Sequence, residues 1–196
     1  MKKIIFVDGF YSFGMGSYLF LKVLLKSNFQ MIPFKYDYRG YEKIEDTAKK
    51  LNNFINNLGL KKKEKVSIIA FSMGGLISTY YIKFLDSKKV NKLVSIFSPF
   101  HGTFWANIFF KNRPAVKEMR PNSKFLTKLN KKDLKRSIKH LNIYSPEDFV
   151  VPGNSGKYLK SDSVRVFFFM HPFAVFWPKL VYNVRNFLEG KPYKYF

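Results

Sequence analysis

The run Val66-Ser67-Ile68-Ile69-Ala70-Phe71 is apolar and β-branched, and it breaks directly into Ser72-Met73-Gly74-Gly75 and a helical pattern. The pattern passes from strand to helix with no intervening loop. The two backbones must pass close to one another, and the small residues Ala70, Gly74 and Gly75 leave room for that. A serine at the apex of such a turn points its hydroxyl out of the sheet edge, so the segment reads as a nucleophile elbow. The plain alternative is an ordinary strand-to-helix turn with a capping serine, and the rest of the chain has to decide.

Serine is a poor nucleophile until an imidazole takes its proton, and the imidazole needs a carboxylate to orient and support it. Partners of both kinds lie downstream in the order serine, acid, histidine. Asp148 follows the apolar run that ends at Ile143-Tyr144, and His171 follows Val164-Arg165-Val166-Phe167-Phe168-Phe169-Met170. Both are expected at the same sheet edge as Ser72. Of the three histidines, His140 precedes a strand and belongs at the opposite edge. His101 follows a strand and stays a candidate, although it comes before the acid; Glu147 and Asp162 stay alternatives to Asp148.

These residues carry a resemblance to small α/β-hydrolases of the lipase/esterase kind. Ala70-Phe71-Ser72-Met73-Gly74-Gly75 resembles the elbow of minimal bacterial lipases, and Ser98-Pro99-Phe100-His101-Gly102-Thr103 resembles the family's segment after the next strand. The stretch from Glu118 to Leu129 is similar to the lid region, and Asp148-Phe149-Val150-Val151-Pro152 to the acid loop. The resemblance implies an oxyanion hole made by the backbone N–H groups of Met73 and Phe10. Family members commonly carry His-Gly where this chain has Asp8-Gly9. A carboxylate at Asp8 opposes the charge that develops on an oxyanion unless it is turned away and hydrogen-bonded, and a lost oxyanion donor costs about 10²- to 10³-fold in turnover.

The rest of the chain is organised around the same idea. Strands are expected near 2–7, 30–36, 65–71, 91–97, 139–145 and 164–170, and helices near 16–28, 42–58, 73–86, 104–135 (broken) and 174–188. This alternation predicts one domain over 1–196 with a mainly parallel sheet of about six strands and helices on both faces; the resemblance implies that this is the α/β-hydrolase fold. The turn Asp37-Tyr38-Arg39-Gly40 is expected to bridge loops through its aspartate and arginine. Gly9, Gly14 and Gly16 suggest a phosphate loop, but Met15 stands where that loop needs a lysine. Val166 to Pro178 is too short to span a membrane and reads as a buried strand followed by the histidine loop.

Between about 103 and 135, Phe104, Trp105, Phe109 and Phe110 interleave with Lys111, Arg113, Lys117, Arg120 and Lys124. Two readings fit: a lid or acyl-pocket wall whose cations meet a membrane surface, or simply the core face of a helix. The formal net charge is +22. A field of that size draws anionic lipid or nucleic acid, and the scattered lysines favour peripheral contact with anionic membrane over nucleic-acid binding. With no cysteine, disulfides and thiolate chemistry are excluded. The first strand begins at the N-terminus, Ile4-Ile5-Phe6-Val7 being too short for a signal peptide, so the expected location is the cytoplasm.

The chemistry expected is hydrolysis of a carboxylic ester, of a small molecule or a lipid, through an acyl-enzyme on Ser72, with no cofactor and no metal. The same residues would serve an acyltransferase or thioesterase. The rival from another class is an inert hydrolase fold that binds anionic membranes or a protein partner.

Overall fold

The computed structural model describes residues 1–12, 14–25, 29–135, 137–159 and 161–193. Its six strands are β1 (Lys2–Val7), β2 (Phe29–Pro33), β3 (Val66–Phe71), β4 (Val90–Ile96), β5 (Lys139–Tyr144) and β6 (Asp162–Arg165). All neighbouring pairs are parallel, in the order β2-β1-β3-β4-β5-β6. Because the chain first steps outward to β2 and then crosses back past β1, the strand order reverses between β1 and β3. The carboxyl ends of strands at such a switch point diverge and leave a crevice. Those ends carry Asp8-Gly9-Phe10 and Ser72.

Among the described residues the α-helices are α1 (Met15–Leu25), α2 (Ile44–Asn56), α3 (Met73–Phe84), α4 (Pro114–Glu118), α5 (Lys124–Lys131) and α6 (Pro178–Glu189). Alternate strand residues feed two cores. Ile5, Val7, Ile68 and Ala70 pack with α2, α3, α4 and α5, whereas Ile4, Phe6, Ile69 and Phe71 pack with α1 and α6. Helices therefore cover both faces, as the sequence pattern predicts. In α2 the buried residues Ile44, Ala48, Leu51 and Ile55 follow the helical period, and Glu45 and Asp46 in its first turn favour the positive end of the helix dipole. Pro178 opens α6 and Gly190, at φ 81°, closes it.

Several boundaries differ from the sequence expectation. The strand expected over 164–170 ends at Arg165, because beyond Val166 the backbone turns to other partners: Phe168 N–H donates to Ser145 Oγ and Phe149 N–H to the Phe169 carbonyl. The helix expected from 174 begins at Pro178, after a 3₁₀ turn over His171–Phe176. Residues 26–28 of the first expected helix lie outside the described residues. Asp37 and Arg39 do not bridge loops but pair within their own turn, Nε to Oδ1 at 3.3 Å. The bridge is Arg113, which donates to the Arg39 carbonyl at 2.6 Å and to Tyr11 Oη at 2.9 Å. Among the described residues no helix is long and apolar enough to cross a membrane.

Candidate active site

Ser72 sits between β3 and α3 with φ 50° and ψ −121°, a backbone state that costs a non-glycine residue on the order of 1–3 kcal/mol. The neighbouring glycines hold it there. A Cβ on Gly74 would overlap the Val7 carbonyl oxygen, and one on Gly75 would overlap the Ser98 side chain. The Ser72 N–H continues the sheet by donating to the Ile96 carbonyl at 2.8 Å, so the turn is tied to β4 as well as to α3.

The structure brings three of the expected residues together. His171 Nε2 lies 3.0 Å from Ser72 Oγ, and His171 Nδ1 lies 2.7 Å from Asp148 Oδ2. The other Asp148 oxygen accepts the N–H groups of Val150 at 2.7 Å and Val151 at 2.8 Å, which fixes the carboxylate plane. All three side chains are buried, and the rings of Phe71 and Phe97 flank the imidazole, with centroids at 5.0 and 6.0 Å. With Nδ1–H given to the carboxylate, the Nε2 lone pair faces the serine hydroxyl.

The alternatives lie elsewhere. Glu147 accepts from Arg165 at 2.6 Å on the surface, and Asp162 opens β6 at the opposite edge of the sheet. His101 is exposed in a neighbouring groove. His140, second residue of β5, is buried against Ser95 Oγ at 2.7 Å. Burial, helped by the nearby Lys83 charge, pushes its pKa down to about 3.

The loop after β1 presses on the elbow: a Cβ on Gly9 would come within 2.9 Å of Ser72 Cβ. Among the described residues neither the Phe10 nor the Met73 N–H meets an acceptor; for Met73 this is the ordinary condition of a first-turn amide. Asp8 is turned away from Ser72. Its Oδ1 accepts the Gly9 N–H at 2.8 Å, and its side chain lines a separate pocket with Phe6, Pro33, Tyr36 and Tyr38. Among the described residues the other oxygen is buried with no hydrogen-bond partner. Burial raises the Asp8 pKa to about 6, opposed chiefly by the Gly9 amide.

Ser72 and His171 open into an apolar cleft of about 460 Å³, walled by Phe10, Tyr11, Trp105, Phe109, Phe110, Met119, Phe149 and Val150 among others. An elbow serine in contact with a histidine and a buried carboxylate, at the foot of an apolar cleft, is what the hydrolase resemblance implies. A model of the family described as "Alpha/beta hydrolase of unknown function (DUF915)" matches residues 29–164.

The chain belongs to this family.

No curated protein matches this α/β-hydrolase chain, but solved structures do. The mature form of lipase BlEst2 from Bacillus licheniformis superposes with a TM-score of 0.76 at 14% identity, over 95% of this chain and 91% of that one. A monoacylglycerol lipase from Paleococcus ferrophilus gives 0.69 at 14% identity, over 96% and 94%. Phospholipase PlaB from Legionella pneumophila gives 0.65 at 15% identity, over 74% and 38%. The chain thus spans about two fifths of that phospholipase's length. At these identities the likeness is one of fold.

Of the four residues expected as pocket or lid, this α/β-hydrolase places Trp105, Phe109 and Phe110 on the cleft wall. Phe104 does not line this cleft. It is exposed and faces the adjoining groove beside His101 and Leu159, because the 3₁₀ turn Phe104–Asn107 buries Ala106 and turns its first residue outward. The core-face reading fails as well, since Phe104, Phe109 and Phe110 are all exposed. Sequence reasoning did not single out as cleft residues Tyr11, Met119 of the lid-like stretch, or the Phe149-Val150-Val151 wall of the acid loop. The last could have been found, since it follows Asp148 directly and is drawn to the cleft when Asp148 is. Trp105 Nε1–H donates to the Phe149 carbonyl at 2.7 Å, joining two walls.

Proposed function

We propose that this protein hydrolyses carboxylic esters, of small molecules or lipids, through an acyl-enzyme on Ser72. The observation that carries the reading is the buried contact chain Ser72–His171–Asp148 opening into an apolar cleft. His171 Nε2 takes the hydroxyl proton as Ser72 Oγ attacks the ester carbonyl, and Asp148 holds the imidazole in place and stabilises its positive charge. The oxyanion rests on the N–H groups of Phe10 and Met73, each contributing on the order of 10²- to 10³-fold. His171 returns the proton to the departing alcohol. Water, deprotonated by His171, then attacks the acyl-enzyme and releases the acid and Ser72. No metal or organic cofactor takes part.

An apolar cleft suits the acyl chain, and burial there contributes roughly 0.8 kcal/mol per methylene. The similar structures include proteins named as lipases, which agrees with an ester substrate. The net charge of +22 fits peripheral contact with an anionic membrane.

The test is a fluorophosphonate probe with adduct mapping by mass spectrometry. One adduct is expected on Ser72, absent from Ser72→Ala and lost in His171→Ala. A folded protein that takes no label, or labels equally without His171, overturns the reading.

A further inference from the structure

The stretch that reads in sequence as a buried strand is the most exposed apolar segment around the site. From Val166 the side chains alternate: Val166 is buried, Phe167 is 71% exposed, Phe168 is half-buried and Phe169 is 60% exposed. Met170 is 44% exposed and precedes His171 directly. Phe168 is the anchor, packed on Phe97 and stacked on Trp177 with centroids 5.3 Å apart, so its two neighbours must point out of the molecule.

This apolar tip adjoins a second one. Phe149 is exposed, and its N–H donates to the Phe169 carbonyl; Trp105 in turn donates to the Phe149 carbonyl. The exposed Phe109 extends the same rim through Trp105, which stacks on it and packs against Phe149, and Phe104 adjoins Trp105 while facing the neighbouring groove. Exposure of this kind is costly, because each large apolar side chain left in water forgoes its burial energy. Contiguous apolar surface with a polar border marks a site of contact. Cations adjoin this surface: the exposed Lys111 follows Phe109 and Phe110 in the chain, and the half-buried Lys157 lines the groove beside Phe104.

We propose that this rim enters the interfacial region of an anionic lipid bilayer, with Phe167, Phe169 and Met170 as its tip and the flanking lysines on the headgroups. Charge complementarity selects this occupant, since lysines near an anionic lipid surface are drawn to its headgroups and the chain carries a net charge of +22. The cleft opens inside the apolar rim, so an acyl chain could pass from bilayer to Ser72 without crossing water. That last clause, which makes the substrate an ester of a bilayer lipid, rests on the ester-hydrolase reading; the docking surface does not.

Vesicle co-sedimentation separates the two. Vesicles of phosphatidylcholine with phosphatidylglycerol should bind the protein, pure phosphatidylcholine vesicles much less, and Phe167→Ser/Phe169→Ser at least tenfold less than the parent. Both replaced side chains are exposed and outside the cleft, and Ser72 labelling by a fluorophosphonate should be unchanged, which shows the variant is folded. Each single variant should lose part of the binding, as a second check. Equal binding by parent and variant, or no binding by the parent, overturns the proposal. So does a concentration-dependent dimer in the parent that the substitutions dissociate, which would give the rim to a second copy of the chain. Vesicle binding without Ser72 labelling would instead remove the hydrolase reading and leave the surface standing.

Discussion

Asp148 meets His171 through one oxygen, Oδ2 to Nδ1 at 2.7 Å, while its other oxygen accepts two backbone amides from Val150 and Val151. The carboxylate therefore cannot rotate away from the imidazole without breaking the turn behind it. Asp148→Asn can keep the turn, but its amide offers a donor where His171 Nδ1–H also donates, and the imidazole loses its supporting charge. Ester turnover should fall on the order of 10³- to 10⁴-fold with the fold intact, read from kcat and a thermal melt.

His101→Ala supplies the matching control. The residue faces a different groove, so fluorophosphonate labelling of Ser72 should proceed at the parental rate. A large loss of labelling would move the base to His101.

Gly74→Ala should damage stability before chemistry. The added Cβ has to displace the Val7 carbonyl, which belongs to a central strand and cannot give easily. Overpacking of this kind costs about 1–3 kcal/mol or more. A clear drop in Tm is the expected result, and an unchanged Tm would show that β1 and α3 are not held this close.

Asp8 predicts a stability that declines toward neutral pH. Its carboxyl is raised from 3.8 to about 6 in the folded protein, so the folded state binds the proton more tightly than the unfolded chain. The contribution is complete below the unfolded value and is lost as pH rises through about 6; it amounts to roughly 3 kcal/mol at most. Glu118, raised by burial to about 7, acts in the same direction. Asp8→Asn keeps an acceptor for the Gly9 amide and should raise stability at pH 7.5 by about 1–3 kcal/mol, with little change at pH 4. Denaturant midpoints at the two pH values check this; a loss of stability at pH 7.5 would count against it.

Val150→Phe should narrow the cleft from its half-buried wall. Long-chain esters should lose about tenfold in kcat/KM relative to short ones, measured on a series of p-nitrophenyl esters. Uniform loss across the series would mean that the acyl chain does not lie along this wall.

The chain order and composition of these segments carried a good deal by themselves. Apolar β-branched runs alternating with helical periods determine a parallel sheet covered on both faces, because such strands can be satisfied only when both sides are buried. The small residues around Ser72 determine a tight turn, because no other residues let Val7 and Ser98 come so near. The order of Ser72, Asp148 and His171, each after a strand, already puts all three at one edge.

Contact, orientation and exposure were decided by the tertiary structure. Asp8 reads in sequence as a charge beside the oxyanion, and only the fold turns it toward the Gly9 amide and away from the cleft. Phe104 looks equivalent to Trp105, yet the 3₁₀ turn sends one out and the other onto the wall. Phe167-Phe168-Phe169 has the composition of a buried strand. Phe167 and Phe169 face water because β6 stops at Arg165 and the following backbone bonds to the acid loop instead of continuing the strand, with Phe168 alone turned inward. Hydrophobicity is a property of residues, but burial depends on what the rest of the chain brings alongside them.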